Sequence, residues 1–388
     1  MANELAVVVI TPSSIRKSRT GGILARYLNR TGLKLAGARM AGPSSELAEA
    51  FAAHLERVDG SETGRLLADY VRTRLAPDPA TGAPNRTLLL LFEGEEAIRK
   101  IAEVTGNLPP ACGGVTVRDT YGDWIQNPDT GAVTHFEPAV IIGNSVQEVG
   151  AILSIWRKHL DTDAGLIHQA GDLPDGDNVQ ESLVMLKPDN WRRPSIRPGA
   201  IIELLSGTGL RIIGMKRFAM SVAQAERFYG PVREGLKKVF GRFGAARSAK
   251  ALAAEFGFPV EEAGLGGLTD QLAPLFAEQE FEKIVAFMTG HRPSETPPEE
   301  RALPGTEPCL AIVYKGVDAI AKIRDVLGAT DPAKARDGSI RREFGTNVMV
   351  NAAHASDSVE NARREMGILE VDRDPAFADL IDSYYGCP

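Results

Sequence analysis

The stretch Asn351-Ala-Ala-His354-Ala-Ser-Asp357-Ser-Val-Glu360 sets one histidine on a short run of small residues, just ahead of a helical pattern. Asp357 and Glu360 read as the cap and third residue of that helix, a capping-box variant. Val359, Ala362, Met366 and Ile368 then give a patchy helical period. A histidine at a helix start sits where backbone N–H groups and the helix dipole favour an anion. An imidazole there is suited to attack a phosphoryl group or to shuttle a proton. A lone histidine is more often a packed or surface residue, so the surrounding motifs decide.

Those motifs run upstream in order. Lys187-Pro188-Asp189 follows the strand-like Ser182-Leu-Val-Met-Leu186, and Tyr229 lies on a helical run after Ser221. Arg324-x-x-Leu327-Gly328-x-Thr330-x-Pro332 and Gly338-Ser-Ile-Arg341 come next. With Asn351-x-x-His354-x-Ser356-Asp357-Ser-Val359 they form a co-linear set whose spacing is unbroken from Arg324 to Glu365. This set resembles the signature of the nucleoside diphosphate kinases.

The resemblance implies a role for each residue. His354 is the nucleophile, with Ser356 and Glu365 orienting it and Tyr229 supporting its surroundings. Lys187, Arg324 and Arg341 hold nucleotide phosphates, the arginines through planar guanidinium forks. Thr330 adds a hydroxyl to the same phosphates, Asn351 bonds the sugar, and Phe281 stacks on the base. The implied reaction moves the terminal phosphoryl of ATP to a nucleoside diphosphate by a ping-pong route through phosphohistidine. Mg2+ travels with the nucleotide, without protein ligands of its own. A nucleotide-binding regulatory or scaffold protein is the alternative. Two positions depart from the family pattern: Ala355 and Asn190 stand where glycine is usual. Asn tolerates a left-handed backbone, and Ala355 adds a methyl beside the nucleophile.

Composition bounds the rest. At 388 residues the chain has room for two domains, and 43% hydrophobic with 24% charged residues is globular usage. A net charge of −7 argues against a nucleic-acid surface. Cys112, Cys309 and Cys387 fit neither a zinc site nor a disulfide framework. The start of the chain lacks the pattern of a signal peptide, and no apolar run is long enough to span a membrane. The expectation is a cytoplasmic protein.

Several blocks recur with a period above 170 residues. Leu5–Pro12 matches Leu183–Pro188, Thr31–Gly37 matches Thr208–Gly214, Gly94–Ile101 matches Gly316–Ile323, and Asn144–Gln147 matches Asp357–Glu360. Two copies of one fold are therefore expected, over 1–165 and 179–388, with a linker over 166–178. Strands are predicted near 5–11, 34–40, 87–92 and 138–142, and again near 182–187, 210–217, 309–314 and 346–350. The family resemblance sharpens this to α/β (α+β) architecture: two ferredoxin-like sandwiches with antiparallel four-stranded sheets, joined as an intrachain pseudo-dimer with room for further assembly of identical chains. Inserts are predicted at 44–85, 123–136, 230–280 and 291–308, as lids or flexible segments. The first copy lacks the chemistry. Thr11 stands opposite Lys187, Ala102 opposite Arg324, Leu108 opposite Thr330 and Ile141 opposite His354, while Arg118 matches Arg341.

Overall fold

A computed structural model of the chain describes residues 3–111, 113–160, 162 and 165–386. Cys112, Asp161, Asp163, Ala164 and Cys387 lie outside the described residues. The chain divides into two compact units, Met1–Phe218 with Leu310–Pro388, and Ala219–Cys309.

The first unit is built on one sheet. Its strands are β1 (Asn3–Ile10), β2 (Lys34–Ala41), β3 (Thr87–Glu95), β6 (Val140–Ile142), β7 (Val179–Leu186), β8 (Arg211–Ala219), β9 (Pro308–Val317) and β10 (Ala353–Ala355). Runs such as Ala6-Val-Val-Val-Ile10 and Leu88-Leu-Leu-Leu-Phe92 are buried throughout. A strand hidden on both faces reads as a continuous apolar run instead of an alternating one. The order β10-β7-β9-β8-β2-β3-β1-β6 makes a single eight-stranded sheet. This corrects the expectation of two separate sandwiches. The edge strands β2 and β8 pair antiparallel at Arg39↔Lys216, and that pairing hides two edges that would otherwise stay open.

Read from either end, the strands of the N-terminal half (β6-β1-β3-β2) and of the C-terminal half (β10-β7-β9-β8) stand in one order. Local detail repeats with them. The helices Ala97–Thr105 and Ala319–Leu327 each begin after a left-handed residue, Glu96 (φ 53°) and Asp318 (φ 54°). Each ends at a glycine with positive φ, Gly106 and Gly328. Arg118 donates to the Gly106 carbonyl at 2.7 Å, and Arg341 to the Gly328 carbonyl at 3.0 Å. Between the halves, the helices Thr20–Thr31 and Arg197–Ser206 cross at Gly21 and Gly199. A Cβ on Gly199 would stand 2.3 Å from the Gly21 carbonyl oxygen, and one on Gly21 would stand 2.6 Å from that of Gly199. Only glycine permits so close a crossing.

Three local expectations change. Residues 346–350 form a turn and not a strand, because the Asn347 carboxamide accepts from Met349 N and Val350 N at 2.9 and 2.8 Å. That side chain satisfies the backbone locally, so no ladder partner is needed. The strand comes later, at β10, and contains His354. The helix Val359–Leu369 is capped by Ser358, which accepts from Asn361 N, and not by Asp357. His354 is thus a strand residue ahead of the cap. Finally, part of the 123–136 insert is ordered as a hairpin of β4 (Asp123–Gln126) and β5 (Val133–Glu137).

The second unit is helical. Val222–Tyr229 opens with a capping box between Ser221 and Gln224. The long helices Val232–Phe256 and Gly266–Thr289 pack on each other, with Phe240, Phe243 and Phe276 clustered between them. The fully buried Phe281 ring lies 3.4 Å under the Arg233 guanidinium, which also pairs with Glu278 at 2.9 Å.

Candidate active site

His354 is the middle residue of the edge strand β10 and faces Met185 of β7 in register. Its imidazole Nε2 lies 2.8 Å from Glu365 Oε2, and its side chain keeps 23% of its surface exposed. Glu365 is buried on Val359–Leu369. It also accepts from Ser356 Oγ at 2.7 Å and pairs with Arg364 at 3.3 Å. A carboxylate accepting from an imidazole N–H holds the ring in one tautomer, with the lone pair on Nδ1.

The chain reaches this strand through an unusual residue. Ala352 has φ 68°, a conformation that costs a residue with a Cβ about 1–2 kcal/mol. It is held at both ends of its peptide unit. Its N–H donates to Asp189 Oδ2 at 3.2 Å. Its carbonyl accepts from Lys187 N at 3.0 Å and from Asn190 Nδ2 at 2.7 Å. Asn190 itself has no positive φ, so its tolerance of a left-handed backbone is not drawn on. Burial pushes the Asp189 carboxyl above the usual carboxylate range, against the pull of Lys187 and Arg197.

The cations converge on the same place. Lys187 Nζ donates to Asn351 Oδ1 at 2.9 Å and to the Met349 carbonyl at 2.8 Å. The Asn351 amide in turn reaches the Thr330 carbonyl at 3.0 Å. Arg341 joins the Gly328 carbonyl to that of Ala353, the residue before His354. Burial, and then the neighbouring Arg324, push the Arg341 guanidinium down to about 10, which leaves it cationic at neutral pH. Arg324 and Thr330 are exposed. The structure therefore draws together His354, Glu365, Ser356, Lys187, Asn351, Thr330, Arg341 and Arg324. Tyr229 and Phe281 belong to the second unit and are buried within the chain. Sequence reading assigned no role to Asp189, Asn190 or Arg197. Asp189 was visible in Lys187-Pro-Asp, but the turn it holds was not.

Among the described residues of the N-terminal half, the positions matched to Lys187 and His354 carry other side chains. Ile141 is the middle residue of β6 and faces Val9 of β1. Thr11 is buried, bonded to the Ala139 carbonyl at 2.9 Å. Asp123, His135 and Glu137 lie close enough to share a cation, but Lys17 already bonds Asp123 and Glu137 at 2.8 and 2.6 Å.

A part-exposed histidine held by a buried carboxylate, beside two arginines and a lysine, is an arrangement suited to anionic groups. The sequence model named nucleoside diphosphate kinase matches residues 298–371. A nucleoside diphosphate kinase from Helicobacter pylori (strain Shi470) is 30% identical over 195 residues, which is 50% of this chain and 98% of that protein. One from Azorhizobium caulinodans is 31% identical over 188 residues, 48% of this chain and 91% of that protein. The crystal structure of an NDP kinase from Pyrobaculum aerophilum, 26% identical, aligns with 50% of this chain and 98% of its own at a TM-score of 0.33. The chain belongs to the nucleoside diphosphate kinase family. Among the described residues, no helix is long and apolar enough to cross a membrane.

Proposed function

We propose that this chain is a nucleoside diphosphate kinase with one working site, in its C-terminal half. The observation that carries the reading is the His354–Glu365 contact at 2.8 Å, placed beside Lys187 and Arg341. In the first half-reaction the Nδ1 lone pair attacks the terminal phosphorus of magnesium-bound ATP. The P–O bond to the bridging oxygen breaks, and ADP leaves with that electron pair. In the second, a terminal oxygen of a nucleoside diphosphate attacks the same phosphorus. The P–N bond breaks and neutral His354 returns. Magnesium would enter as part of the substrate, carried on the nucleotide phosphates. Glu365 stabilises the charge that develops on the ring, and Ser356 fixes Glu365. Lys187, Arg324, Arg341 and Thr330 are the phosphate-holding groups, Asn351 the sugar contact. Tyr229 and Phe281, buried in the second unit, are given no part in this site.

The same reading takes the chain as a fused duplication, with domains over 1–165 and 179–388. The repeated strand order, the paired Arg118 and Arg341 contacts and the reciprocal Gly21–Gly199 crossing support it. The halves then form an intrachain pseudo-dimer.

Radiolabelled ATP with magnesium should convert the protein to an acid-labile phosphohistidine form, which any nucleoside diphosphate discharges. His354→Gln should lose both half-reactions. Full transfer by that variant would sink the assignment.

A further inference from the structure

We propose that Asn190 is a positioning residue for His354, acting by clamping the left-handed residue Ala352. This rests on the kinase reading only for its consequence on rate, and on geometry alone for the clamp.

Asn190 is buried, and the two N–H groups of its carboxamide are divided between two carbonyls. One goes to Lys187 O at 3.0 Å and the other to Ala352 O at 2.7 Å. The side chain therefore ties the segment bearing Lys187 to the turn bearing His354. Ala352 and Ala353 are buried but short. Their methyl groups give little packing, so the turn depends on hydrogen bonds to keep its φ. A relaxed Ala352 would shift the register of β10 by rotating the peptide that enters it. His354 would then lose its place opposite Met185 and its reach to Glu365.

The device recurs in the N-terminal half. Ala139 is also left-handed (φ 60°) and also directly precedes its short edge strand, β6. Its carbonyl accepts from Thr11 N at 3.2 Å, from Thr11 Oγ1 at 2.9 Å and from Ser14 Oγ at 2.9 Å. Ser14 follows Thr11-Pro12 as Asn190 follows Lys187-Pro188. Two different donors, a hydroxyl and a carboxamide, thus perform one task at matching places. Since Ile141 occupies the middle of β6, the task there is to set the edge strand. In the C-terminal half the same task sets His354.

The test uses the full chain with Asn190→Ala, Asn190→Asp and Asn190→Ser. Asn190→Asp keeps the shape and removes the donors, so it serves should the alanine variant fail to fold. Hydrogen exchange at the amides of Ala353–Ala355 should speed up about tenfold in both, as for one lost buried hydrogen bond. Phosphohistidine formation in a single turnover should slow by about ten- to a hundredfold, the scale of a misplaced reacting group. The nucleotide KM should stay unchanged. Asn190→Ser, borrowing the donor of the N-terminal half, should recover most of both. Wild-type exchange in Asn190→Ala or Asn190→Asp, or a serine variant that behaves like alanine, would overturn the clamp. If wild-type protein forms no phosphohistidine, the kinase reading fails and the exchange arm alone decides the clamp.

Discussion

At the residue scale, the site spends its charged groups on holding the backbone as much as on binding. Arg341 bonds two carbonyls while facing Arg324, so its cost to both stability and ligand binding is read in one substitution. Arg341→Ala should weaken nucleotide binding by about 2 kcal/mol, the worth of a charge-assisted hydrogen bond; isothermal titration checks this. Arg118→Ala, which removes the matching contact in the half without a nucleophile, should leave transfer activity nearly unchanged. Glu365→Gln should raise the barrier to phosphohistidine formation by about 1.5–3 kcal/mol, measured by rapid quench. Asp189 gives a pH signature. Its carboxyl titrates above the range of the unfolded chain, so the unfolded state ionises first as pH rises. Wild-type stability should therefore fall relative to Asp189→Asn as pH rises from about 4, the unfolded Asp value. Denaturant midpoints at a series of pH values measure that difference.

At the element scale, the decisive piece is the three-residue strand β10. It is long enough to pair with β7 at Ala353, His354 and Ala355, and short enough that one turn sets it. Ala355 is a buried strand residue opposite Val184 with no positive φ. Nothing about its backbone asks for the glycine that the family pattern has there. Ala355→Gly should lower stability by about 0.5–1 kcal/mol through the entropy of a strand glycine, seen in chemical denaturation. A rise in turnover of the same variant would show that the methyl slows the chemistry.

At the scale of the whole chain, the N-terminal half of the first unit completes a sheet and a helix crossing. The Gly21–Gly199 approach leaves no room for a side chain, so Gly199→Val should cost about 1–3 kcal/mol by overpacking. A thermal melt records it, and an unchanged melting temperature would refute the crossing. Titration calorimetry should find one nucleotide site per chain. Two equivalent sites would contradict the loss of function assigned to the half that carries Ile141. Residues 175–178 are exposed, whereas Asp172 pairs with the buried Arg86. Proteolysis between Asp175 and Asn178 should leave both halves associated on gel filtration.

The chain's own order of residues determined most of what sits in the site. Lys187, Arg324, Arg341, Asn351 and His354 were picked out by their motifs' resemblance to one family, and the structure brings them together. Most strands were legible too, because a strand buried on both faces must be an unbroken apolar run. The short β10 was not, since three small residues carry no periodicity and Asn347 diverted the preceding segment into a turn. The left-handed Ala352 was equally hidden, because its conformation is imposed by Asp189, Lys187 and Asn190 from 162 to 165 positions away. Whether two four-stranded sets stay apart or merge also lay beyond local pattern. That was decided by β2 meeting β8, a pairing between distant edges whose free energy exists only once both halves have folded.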